Sequence, residues 1–115
     1  MTIRLTLAAL LAVSTPAFAE SMATGAEISA AISGNTVQGS MSDSGACTEF
    51  YAADGSIKGK DYSGEWTVEG DTMCFCYGDA PDCWNVRLKG DAVTWVQDGE
   101  DGGTGAIIAG NPDGF

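Results

Sequence analysis

Apolar and polar positions change rhythm twice along this chain of 115 residues, and each rhythm predicts a different element. Leu5–Val13 is an apolar run between Met1–Arg4, which carries a positive charge, and Pro16-Ala17-Phe18-Ala19. Helical spacing follows: Ile28, Ala31 and Ile32 fall on one stripe, Thr24-Gly25-Ala26-Glu27 fits a capping box, and Gly34 sits where a helix would stop. The spacing predicts one short helix over Gly25–Ser33, too short to be stable without packing on something else.

Beyond it the period is two. Strands are predicted at Thr36–Met41, Cys47–Ala53, Ser56–Lys60, Gly64–Glu69, Thr72–Tyr77, Cys83–Lys89, Ala92–Gln97 and Thr104–Ala109. Turns such as Asp54-Gly55, Glu69-Gly70-Asp71 and Gly90-Asp91 separate them. Trp66 and Val68 share one face, as do Met73, Phe75 and Tyr77, then Trp84, Val86 and Leu88, then Val93 and Trp95. The intervening Glu65, Thr67, Asn85, Arg87, Lys89 and Thr94 suit water. Half-buried antiparallel strands give this alternation, and short turns favour a meander over parallel crossovers. The fold class expected is mainly β: a small antiparallel meander or up-and-down barrel of about eight strands, closed so that no edge is exposed, with one short N-terminal helix. Gly39, Gly59, Gly64, Gly78 and Gly105 would permit its bends, and the tail Gly110–Phe115 has no periodicity.

The first rhythm has the three-part layout of a secretory signal peptide, with cleavage between Ala19 and Glu20. It is shorter than the roughly 20 apolar residues that span a bilayer, so no membrane insertion is expected after cleavage. The organisation expected is therefore residues 1–19 as leader and 20–115 as one small domain in the periplasm.

The whole chain has a net charge of −11; loss of Arg4 with the leader leaves four bases against sixteen acids, a net of −12. Such a field repels nucleic acid and anionic headgroups and favours a cationic protein partner. Part of the acidity is turn chemistry: Asp54, Asp98, Asp101 and Asp113 each precede a glycine.

All four cysteines, Cys47, Cys74, Cys76 and Cys83, follow the leader, and an even number in an exported chain reads as disulfides. The alternation puts Cys74 and Cys76 opposite Phe75, Cys83 opposite Trp84, and Cys47 with Glu49 and Tyr51 away from Phe50. On this reading all four point off the core on one side of the sheet. Cys74–Cys83 with Cys47–Cys76 is favoured, and Cys76–Cys83 with Cys47–Cys74 stays open.

Candidate chemistry is sparse. The chain has no histidine, so Ser40 and Ser63 lack the usual base and Cys74-Phe75-Cys76 lacks a nitrogen ligand. Asp98-Gly99-Glu100-Asp101-Gly102-Gly103 gathers three carboxylates but reads as a hairpin turn rather than a calcium loop. No catalytic residue, metal or cofactor is expected. Trp66, Trp84 and Trp95 face inward, where they fill a core or line a cavity.

Taken in order, Gly34-Asn35-Thr36, Phe50-Tyr51, Asp54-Gly55, Gly64-Glu65-Trp66-Thr67-Val68, Asp71-Thr72-Met73-Cys74, Cys83-Trp84-Asn85-Val86 and Gly110-Asn111-Pro112 form a string of motifs. This string resembles a group of small exported β-rich proteins found mainly in alphaproteobacteria. The resemblance spans about Ile28 to Pro112 and implies a periplasmic domain with Cys74–Cys83 as the shared bridge, Cys47 and Cys76 being an added pair. It implies no activity.

The functional expectation is a non-enzymatic binding or interaction module whose acidic surface engages a cationic protein. The alternatives are an accessory subunit of an envelope complex, which would need Ile28, Ile32, Ile107 and Ile108 exposed as an apolar patch, and a small-ligand carrier, which would need a cavity among the tryptophans.

Overall fold

The computed structural model describes residues 21–42 and 44–115. The expected leader and its Ala19/Glu20 junction lie outside the described residues.

Helix α1 covers Gly25–Ile32 and begins at the expected capping box. The Thr24 hydroxyl accepts the Glu27 N–H at 3.2 Å, and the Glu27 carboxylate accepts the Thr24 N–H at 3.0 Å. Gly34 then turns the chain at a φ of +76°, a conformation glycine adopts without a Cβ clash, and its N–H donates to the Tyr51 carbonyl at 2.7 Å.

Eight strands follow: β1 Asn35–Met41, β2 Gly45–Tyr51, β3 Ser56–Lys58, β4 Ser63–Glu69, β5 Thr72–Cys76, β6 Asp82–Lys89, β7 Ala92–Gln97 and β8 Glu100–Ile108. Each pairs antiparallel with the next, and β8 returns to β1, so the sheet closes into a barrel without free edges. The register carries the inward positions across the wall: Trp66 stands opposite Phe75, Met73 opposite Trp84, Val86 opposite Trp95, and Val37 opposite both Glu49 and Ile107.

One end is closed by α1. The helix packs on β1, β4 and β5. Its approach is fixed by the Ala23 N–H on the Val86 carbonyl at 2.7 Å and the Gly25 N–H on the Asp71 carboxylate at 2.8 Å. Ile28 and Ile32 are fully buried in one cluster with Val37, Ile57, Met73, Val86 and Val93. Each such side chain contributes about 1.5–3 kcal/mol relative to exposure, which is what holds so short a helix in place. This burial also removes Ile28 and Ile32 from the exposed apolar patch that a docking subunit would require.

Two segments differ from their sequence expectations. β8 begins at Glu100 rather than Thr104. Asp98 and Gly99, at φ of 54° and 78°, make the whole turn before it, the two-residue type that matches strand twist. The Gly-rich stretch is strand because neighbours occupy the space its side chains would take: a Cβ on Gly102 would enter the Trp84 ring. The tail, which shows no periodicity in the sequence, lies against the wall. Thr36 is fully buried and its hydroxyl donates to the Gly110 carbonyl at 2.7 Å, while Asn111 and Phe115 exchange two hydrogen bonds.

Candidate functional site: the open mouth of the barrel

At the end away from α1, the closing strands leave a cavity of about 580 Å3, within the range of small-molecule sites. β2 supplies its floor. Alternation turns Cys47, Glu49 and Tyr51 inward and leaves Thr48 and Phe50 on the outer wall, so a carboxylate enters a face that is otherwise apolar. Glu49 is only 5% exposed. Tyr51, from the same strand, donates its hydroxyl to one Glu49 oxygen at 2.7 Å; Tyr77, just beyond β5, donates to the other at 2.7 Å.

The rim is built by Tyr62 and Tyr77, which meet edge to face with ring centres 6.1 Å apart. Glycine makes room for them: a Cβ on Gly64 would stand 2.7 Å from the Tyr77 ring and one on Gly59 2.5 Å from the Tyr62 ring. Phase shifts in β8 make room for the tryptophans. A register shift between Trp95 and Val96 leaves Gly102 as an extra residue in β8, against Trp84. Trp84 is held by its indole N–H on the Asp82 carboxylate at 3.0 Å, and Gln97 donates to the other Asp82 oxygen at 2.8 Å. Phe75 stacks edge to face on Tyr51 at 6.1 Å and on Trp95 at 6.1 Å, joining floor to wall.

All three tyrosines of the chain therefore stand at this mouth. Each phenol is held above its ordinary range, first by burial and then by the Glu49 charge and the hydrogen bond to it. Burial, with Glu49 adding, also pushes the Cys47 thiol up. A thiol held protonated is a poor nucleophile. Trp95 is 2% exposed, and its indole N–H has no partner among the described residues. A buried donor left unpaired costs about 1–3 kcal/mol, which an acceptor supplied from outside the chain recovers.

The cysteines divide in a way that corrects the expected arrangement. Cys74 and Cys83 are directly opposed on β5 and β6, with Cα atoms 4.0 Å apart, and form a disulfide. Cys47 and Cys76 are free thiols. They do not share a face: Cys47 enters the barrel with Glu49, whereas Cys76 stays outside, its thiol on the Asp79 carbonyl at 3.0 Å. The barrel wall separates them, so Cys47–Cys76 does not form. Among the described residues, the one group with metal-ligand spacing is Glu69, Cys74 and Cys83, and its two sulfurs are spent on each other.

Of the three tryptophans, the structure brings Trp84 and Trp95 to the cavity and leaves Trp66 in the core, its indole N–H on the Ala52 carbonyl at 2.9 Å. The acidic run after Gln97 is hairpin, with Asp101 paired to Arg87 at 3.3 Å on the outer wall. Sequence reasoning missed Glu49 and the tyrosines around it. The signal was Cys47-x-Glu49-x-Tyr51, an inward triplet that looks outward because its centre is charged. No protein-family model, curated protein or solved structure matches the chain.

Proposed function

We propose that this protein is a non-enzymatic binding protein that takes a small molecule in the open mouth of its barrel. The observation that carries the reading is Glu49: a carboxylate 5% exposed, oriented by two tyrosine hydroxyls, at the base of a cavity of about 580 Å3. A buried carboxylate is expensive unless it is hydrogen-bonded and paired, and a well-formed pocket with a few convergent polar groups is the usual form of a ligand site. The groups present bind rather than react. The phenols and the Cys47 thiol are held protonated, both Glu49 oxygens already accept hydroxyls, and the chain has no histidine. The exported, periplasmic setting belongs to the same reading. It is supported by the leader-like residues 1–19 and by the Cys74–Cys83 bond, which suits an oxidising compartment.

Native mass spectrometry of the protein purified from its own compartment tests this. The expected spectrum contains a small-molecule adduct that disappears when Cys47 is replaced by Trp to fill the cavity. A stable complex with a protein, or bare polypeptide alone, overturns it in favour of the interaction-module or accessory-subunit reading.

A further inference from the structure

We infer that the molecule held in the mouth is an organic cation, an ammonium group on a small body that also carries a hydrogen-bond acceptor. This rests on the mouth being a ligand site and specifies its chemistry.

Glu49 is buried and its partners, Tyr51 and Tyr77, are neutral donors, which orient a carboxylate without cancelling its charge. Buried charges in proteins are paired. The other charged residues around the cavity are Asp79 and Asp82; among the described residues its lining contains neither Lys nor Arg. Arg87 is engaged with Asp101 on the outer wall. The countercharge for Glu49 therefore comes with the ligand. The overall charge of −11 draws cations toward the mouth and repels anions.

Tyr51, Phe75 and Trp95 form consecutive edge-to-face contacts with interplanar angles of 71° and 74°, and Tyr62 and Tyr77 meet at 61° above them. Tyr51, Tyr62, Phe75, Tyr77 and Trp95 all line the one cavity, and an aromatic lining is what attracts an ammonium by cation–π interaction. The carboxylate retains accepting capacity, since three phenols occupy at most three of its four lone pairs.

Trp95 lines the same cavity and buries an indole N–H without a partner. An oxygen on the ligand satisfies it. A purely apolar occupant would leave both this donor and the Glu49 charge uncompensated, and an anion would face three carboxylates.

The test compares isosteres that differ in charge alone. Choline is paired with 3,3-dimethylbutan-1-ol, and tyramine with 4-propylphenol, each titrated into the full protein by calorimetry with tryptophan fluorescence as a second readout. In at least one pair the cation binds about tenfold or more tightly than its neutral match, the scale of a desolvated cation–π and carboxylate contact. Glu49→Gln reduces that preference toward unity while the neutral probe still changes the fluorescence. The wild-type comparison stands even where that variant fails to fold. If the neutral member binds as well as its cation in both pairs, the ligand site stands and its cationic specificity is overturned. If no probe binds, the adduct from native material decides: a cationic mass-identified molecule supports the inference, a neutral or anionic one overturns it, and the absence of any adduct overturns the ligand site itself.

Discussion

Because every tyrosine of the chain faces Glu49, an alkaline titration interrogates the site without a ligand. The unfolded chain ionises its phenols near pH 10. In the folded protein Tyr51, 1% exposed and beside a carboxylate, keeps its proton well beyond that. Stability from this source is thus complete below pH 10 and falls as pH rises above it. Tyr51 alone removes about 1.4 kcal/mol for each further pH unit. Tyr62 and Tyr77 shift the same way but are 46% and 47% exposed, so water screens them and each adds only a fraction. With roughly 2 kcal/mol lost per unit against a total of about 5–10 kcal/mol, the barrel survives pH 11 and, at the low end of that range, unfolds only about 2.5 units above pH 10. The assay follows phenolate absorbance and near-ultraviolet circular dichroism together. The two transitions should coincide, with little phenolate before unfolding. Glu49→Gln removes the charge but leaves the burial, so its phenols ionise earlier than in the wild type and still above pH 10. Three phenols titrating near pH 10 in a folded protein would refute the placement of Glu49 among them.

Replacing Cys74 and Cys83 together by Ala opens a loop with a sequence separation of 9 and should cost about 2.5–3 kcal/mol, a fall in Tm on the order of 10–20 °C by calorimetry. On denatured, unreduced protein, a thiol count should find two reactive groups, Cys47 and Cys76, with Cys76 labelling faster in the native state; a count of zero contradicts their separation by the wall. Gly102→Ala drives a methyl into the Trp84 ring and should destabilise by about 1–3 kcal/mol with an altered tryptophan emission, whereas an unchanged melt would contradict that packing. Tyr51→Phe removes a buried hydrogen bond to a charged group, an expected loss of about 1.5–3 kcal/mol in urea unfolding.

The barrel was legible because the sequence obeys simple periods where the core is thick. Trp66/Val68, Met73/Phe75 and Val86/Leu88 alternate with solvated residues, and Thr24 with Glu27 marks the helix start, so strands and helix fall within a few residues of their expected bounds. The errors share one physical cause. Near the mouth the inside is polar or empty, and pattern reading assigns polar or small residues to the outside. Gly102 and Gly103 look like loop but are strand positions kept bare for the rings of Trp84 and the side chain of Met41. Cys47 and Glu49 look solvent-facing, and Phe50 looks buried, although the closed register with β1 reverses all three assignments. Charge and cysteine count pointed to the molecule's surface, while the candidate site lies in the mouth of the barrel. The Cys74–Cys83 bridge was accessible because the two residues flank a hairpin, whereas the fate of Cys47 depended on which side of a barrel wall it takes.

A ligand of this barrel occupies the space above Glu49, where its presence can be seen directly. The most direct measurement is a crystal structure of protein isolated from its own compartment, without added ligand. It should show connected non-protein density between Glu49, Trp84 and Trp95, with an atom within hydrogen-bond reach of the Trp95 indole. A mouth holding only scattered water, with Glu49 turned out to solvent or paired with a lysine or arginine of the chain itself, would contradict it.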